Sequence, residues 1–114
     1  MDRVMEDWNR KLELYDKLIS KNPKFERKGE TMPYTSANGY MFSQLNKKGQ
    51  IGIRLPKKTR KKLLDEYNAS EYKSYGSVMK DYVLIPEKLL ANLELLSEYL
   101  NESYNYVMSL KPKK

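Results

Sequence analysis

A chain of 114 residues, 39% hydrophobic and 32% charged, is sized for one domain that buries about two-thirds of its unfolded surface, and residues 1–114 are read as that single domain. It contains neither Cys nor His, which excludes Cys/His zinc sites, Cys–His and Ser–His–Asp nucleophiles, and imidazole acid–base chemistry. The net charge of +7 is polarised: residues 1–22 balance five bases with five acids, residues 23–62 carry eleven bases and two acids, and residues 63–110 carry three bases and eight acids.

The longest apolar run, Tyr82-Val83-Leu84-Ile85, is far too short for a membrane span or a signal-peptide core. The N-terminal stretch is amphipathic but balanced in charge, unlike a transit peptide. The expectation is a cytoplasmic protein without membrane contact.

In chain order, Val4, Met5, Trp8, Leu12, Tyr15, Leu18 and Ile19 recur at three- and four-residue steps and predict a first helix, with Asp2 as its N-cap. Asp7 with Lys11 and Glu13 with Lys17 are spaced for i,i+4 ion pairs. Asn22-Pro23 stops this helix, because the residue before Pro is pushed towards extended geometry.

Residues 24–37 predict an extended arm, with Gly29 and Pro33 marking a bulge or an edge. Asn38-Gly39 is the dipeptide that best tolerates the two positive φ angles of a tight hairpin turn. Tyr40 to Leu45 then suits a strand, Asn46-Lys47-Lys48-Gly49 a second turn, and Ile51, Ile53 and Leu55 a third strand. Gly52 and Arg54 are placed on that strand's exposed face. The small polar residues between 30 and 50 therefore serve an antiparallel meander rather than a catalytic loop.

Pro56 introduces a second helix, "KKTRKKLLDEY", with Leu63, Leu64 and Tyr67 on one side and Lys57, Lys58, Lys61 and Lys62 on the other. Arg60 falls on the apolar side, its stem expected to pack and its head to reach water. A short strand or loop covers 70–77, and "MKDYVLIP" is a strand ended by Pro86. One long or two consecutive helices follow, with Asn92 able to cap a restart. Leu89, Leu93, Leu96, Leu100, Tyr104 and Val107 form their buried stripe. The sequence predicts an α+β fold, helices on one face of an antiparallel sheet.

"NGYMF", "IRLP", "VMKDYVLIP" and "YLNESYNYVMSLKPKK" resemble, in matching order over residues 10 to 114, the N-terminal domain of the TfoX/Sxy family. The resemblance implies a two-layer α-β(3)-α-β(2)-α fold like that of secretion chaperones. It also implies a non-enzymatic role in regulating bacterial competence, with no cofactor. Where many members read Met-Phe-Gly-Gly, this chain reads Met32-Pro33-Tyr34-Thr35. The resemblance supplies no site residues.

Three features invite a functional reading. Ser77 to Lys80, "SVMK", fits the pattern of penicillin-recognising enzymes, but it runs into a strand rather than opening a helix, and the companion motifs are missing. It is read as a chance match, and no catalytic, cofactor or metal residues are assigned. Of ten tyrosines, Tyr34, Tyr40, Tyr72, Tyr75 and Tyr82 lie in or near strands, where aromatics can stack nucleobases; core packing is the commoner use. Lys57, Lys58, Lys61 and Lys62 crowd the start of a helix, against its macrodipole, and are the candidate contacts for an acidic partner or nucleic acid. Glu87, Glu94, Glu98 and Glu102 line one side of the last helices and have the sign to meet that face on a second copy. The expected function is a non-enzymatic binding or regulatory module, with weak electrostatic nucleic-acid binding as the alternative.

Overall fold

A computed structural model describes residues 3–74 and 76–113, which form an α+β fold. In chain order the elements are α1 (Arg3–Ser20), β1 (Tyr34–Ala37), β2 (Tyr40–Leu45), β3 (Ile51–Arg54), α2 (Lys57–Tyr67), β4 (Ser70–Ser74), β5 (Ser77–Leu84), α3 (Glu87–Leu90) and α4 (Leu93–Met108). The sheet is antiparallel throughout, in the order β1-β2-β3-β5-β4. The Asp2 cap, the side chains of Val4 and Met5, and Tyr75 lie outside the described residues.

Turn chemistry sets the meander. Ala37 faces Tyr40 across a two-residue turn in which Asn38 has φ 56° and Gly39 φ 84°. The second turn is tied by Asn46, whose Oδ1 accepts from the amides of Lys48 (3.0 Å) and Gln50 (2.9 Å), while Gly49 takes φ 78°. The arm before β1 makes one short pairing, Lys28 with Tyr34, around a turn that starts at Gly29 (φ 78°).

A bulge then decides what β2 buries. Thr35 pairs with Ser43 and Ser36 with Met41, so Phe42 is left without a partner on β1. An extra residue resets the alternation of the strand, which puts adjacent side chains on the same face. Phe42 is thereby fully buried, packing edge-on against Phe25 (5.2 Å between ring centroids) and Tyr104 (6.0 Å). Its neighbour Ser43 is also buried, bonded to the Tyr15 hydroxyl (2.6 Å) and to Thr35 Oγ1 (2.5 Å).

One core gathers Tyr15 and Leu18 from α1, Leu63 from α2, Leu89 from α3, and Leu96, Leu100 and Val107 from α4 against Leu45, Ile51, Ile53 and Val83 of the sheet. The stripe expected on the last helices is buried, with Leu93 and Tyr104 half-covered at its margin. Asn92 caps α4 by accepting from the Leu95 amide (3.1 Å).

Several local expectations are corrected. Asp7 pairs with Arg10 (3.0 Å), because Lys11 reaches across to Glu87 of α3 (2.8 Å), and Glu13–Lys17 is not among the ion pairs of the described residues. A contact with a second element fixes a lysine better than a neighbour on its own exposed helix face. Leu64 is 43% exposed, since the core reaches only the Leu63 edge of α2. The guanidinium of Arg60 turns inwards, donating to the Leu55 carbonyl (2.6 Å) and pairing with Asp81 (3.1 Å).

The most consequential correction concerns β3. Gly52 is buried and Arg54 half-buried, so the face expected to be open is covered. The β4–β5 ladder explains this. It is regular at Ser70–Leu84 and Glu71–Val83 and resumes at Lys73–Val78, leaving residues 79–82 of β5 opposite Tyr72 alone. Asp81 inside this bulge has φ 71°. A bulge bends its strand, and here the ring of Tyr72 lies over Gly52, its hydroxyl in reach of the Gln44 (3.1 Å) and Gln50 (3.2 Å) carbonyls. Tyr82 stacks beside it at 5.9 Å and donates to the Met41 carbonyl (2.7 Å).

Candidate functional site

The lysine-rich helix α2 forms against its own electrostatics. Its first turn carries Lys57 and Lys58, no acid and no side-chain cap, and its last turn carries Asp65 and Glu66 and no base. Both arrangements oppose the macrodipole by a few tenths of a kcal/mol per charge. Tertiary contacts offset that cost. Leu63 is fully buried, Arg60 is anchored as described, Thr59 Oγ1 donates to Glu102 of α4, and Asn68 closes the helix in the left-handed conformation with its amide on the Leu63 carbonyl.

Those anchors leave Lys57, Lys58, Lys61 and Lys62 exposed, and none belongs to an ion pair among the described residues. The structure brings the four lysines to one helix face, as their spacing predicts. Lys62 stands close enough to Tyr99 of α4 to pull its phenol down, although burial raises that group above its ordinary value overall.

The acidic residues expected to complement this face are largely engaged within the chain, Glu102 with α2 itself. Glu87 accepts from Lys11 and Glu94 from Lys21, both at 2.8 Å, and Glu102 from Thr59. The Lys21 ammonium holds the Glu94 carboxyl below its ordinary value. Glu98 is exposed.

Sequence reasoning missed a charged cluster beside α2. Asp81 pairs with Arg60 (3.1 Å) and Arg54 (3.6 Å), all three side chains 19–23% exposed. The Arg54 guanidinium also lies over the rings of Tyr40 (5.3 Å) and Tyr106 (5.8 Å), and its Nε is buried without a hydrogen-bond partner among the described residues. "MKDYVLIP" carries this Asp, but nothing in a strand pattern marks it for a left-handed backbone.

The remaining candidates resolve locally. Ser77 and Lys80 are exposed in a strand, not stacked one turn apart on a helix. Tyr72 and Tyr82 are buried against each other and the sheet. Burial pushes the phenols of Tyr15, Tyr72 and Tyr82 well above their usual range, so all three stay protonated even at mildly alkaline pH. Among the described residues, no group of three or more acidic side chains could hold a metal ion, and no helix is long and apolar enough to cross a membrane.

Compared with known proteins, the chain matches no family model, no curated protein and no solved structure.

Proposed function

We infer that the protein is a non-catalytic binding module that docks an acidic segment of a partner protein on Lys57, Lys58, Lys61 and Lys62. The observation that carries this reading is the unpaired lysine face of a helix held rigid from behind. Rigid cations at a helix N-terminus gain twice from an incoming carboxylate, through direct pairing and through relief of the macrodipole. Because Glu87, Glu94 and Glu102 are engaged within the chain, the acid is sought on another protein rather than on a second copy. The resemblance of "NGYMF", "IRLP" and "VMKDYVLIP" to the TfoX/Sxy N-terminal domain supports a regulatory role in the bacterial cytoplasm.

Nucleic acid is the second reading, since the same lysines can meet phosphates. The two are separated by titrating a Glu-rich peptide and a mixed-sequence DNA duplex at two salt concentrations, against the wild type and the variant with all four lysines changed to Gln. Peptide binding that the variant loses, its melting temperature unchanged, supports the reading; peptide binding that the variant keeps overturns it. Preferred binding of the duplex, with affinity falling about 0.9 log units per log unit of salt for each phosphate contact, favours the second reading instead.

A further inference from the structure

The bent β4–β5 hairpin does more than cover Gly52. Lys73, Ser74 and Gly76 of that hairpin and the β2–β3 turn line a cavity of about 460 Å³. The walls divide by chemistry. The lining residues include three bases, Lys47, Lys48 and Lys73, against a single acid, Glu71, with Met32 and Leu84 as apolar members. None of the three lysines is in an ion pair among the described residues.

One observation sets this cavity apart from a cleft between surface lysines: its walls are tied to each other in advance. The Asn46 amide donates to the Lys73 carbonyl (3.0 Å) and to Gln50 Oε1 (3.1 Å), joining the hairpin tip to the turn that carries Lys47 and Lys48.

We propose that this cavity binds a small amphipathic anion, a carboxylate or phosphate monoester on a short apolar body. The head lies among Lys47, Lys48 and Lys73, and the body against Met32 and Leu84. At about 30 Å³ per water-sized group the space holds roughly fifteen non-hydrogen atoms, and its volume falls within the usual range for ligand pockets. The site is separate from the lysine face of α2 and stands whether or not that face docks a partner.

The sole tryptophan reports on it, because the Trp8 indole donates to the Asn46 carbonyl (3.0 Å). The full chain is titrated with octanoate, octyl phosphate, octanol and inorganic phosphate, following Trp8 fluorescence and backbone amide shifts. Octanoate or octyl phosphate gives a saturable response centred on Lys47–Gln50, Lys73, Ser74 and Gly76, and the tighter of the two identifies the head group. Octanol, which lacks the charge, and inorganic phosphate, which lacks the body, bind at least about tenfold more weakly. The Lys47→Gln, Lys48→Gln, Lys73→Gln triple variant loses about tenfold or more with its melting temperature unchanged. Lys73→Gln alone moves affinity in the same direction if the triple variant does not fold. Octanol binding as tightly as octanoate, full affinity in the lysine variants, or a response centred on α2 would each overturn the proposal.

Discussion

The ring of Tyr72 lies against the backbone of Gly52, two strands away across β5, so closely that a methyl group on Gly52 would fall inside it. The ring cannot easily yield, since its hydroxyl is held at Gln44 and Gln50. Gly52→Ala is therefore expected to destabilise by about 1–3 kcal/mol through overpacking. The φ of Gly52 is ordinary for a strand, so without the ring the same change should stabilise slightly by restricting the unfolded chain. Urea denaturation of Gly52→Ala in the wild-type and Tyr72→Ala backgrounds checks this: the sign should reverse. Equal effects in both would mean that the contact does not limit the site.

Three buried phenols predict how stability depends on alkaline pH. Tyr15, Tyr72 and Tyr82 all titrate above their unfolded value of 10.0 because burial disfavours the phenolate. The folded state thus keeps protons that the unfolded state releases. Their contribution is complete below pH 10 and is lost as pH rises towards the folded values. Each group should lower stability by about 1.4 kcal/mol per pH unit in that window, about 4 for the three together. Urea midpoints measured on either side of pH 10 give the slope, and Tyr15→Phe should reduce it by one group's share. A midpoint independent of pH there would show that the phenols ionise without unfolding.

Asp81 serves two arginines and a strained backbone at once. Asp81→Asn keeps a side chain that tolerates the left-handed region but leaves Arg54 and Arg60 without their counter-charge. A loss of about 1–3 kcal/mol is expected, as for other charged hydrogen bonds in partly buried settings. Arg60→Met should then cost less in the Asp81→Asn background than in the wild type, because the pairing is already gone. Additive effects in the double-mutant cycle would remove Asp81 from the account of how α2 is anchored.

The sequence by itself determined the local elements. Asn38-Gly39, Asn46 with Gly49, Asn22-Pro23, Pro56 and Asn92 carry backbone preferences that act within a few residues, so the turns, helix ends and cap could be located without knowing what packs on them. The periodicity of Leu63, Leu89, Leu96, Leu100 and Val107 likewise marked their buried side, and Lys57, Lys58, Lys61 and Lys62 marked the outer face of α2. Long-range geometry decided the rest. The bulge at Phe42 and the one at Asp81 depend on how many residues each partner strand supplies, and no local preference encodes that count. The second bulge folds Tyr72 onto Gly52 and covers a face that alternation alone assigned to solvent. Ion pairing followed the same division: Lys11 passed over Asp7 on its own helix for Glu87, and Lys21 found Glu94, because only the packed molecule brings those carboxylates to 2.8 Å.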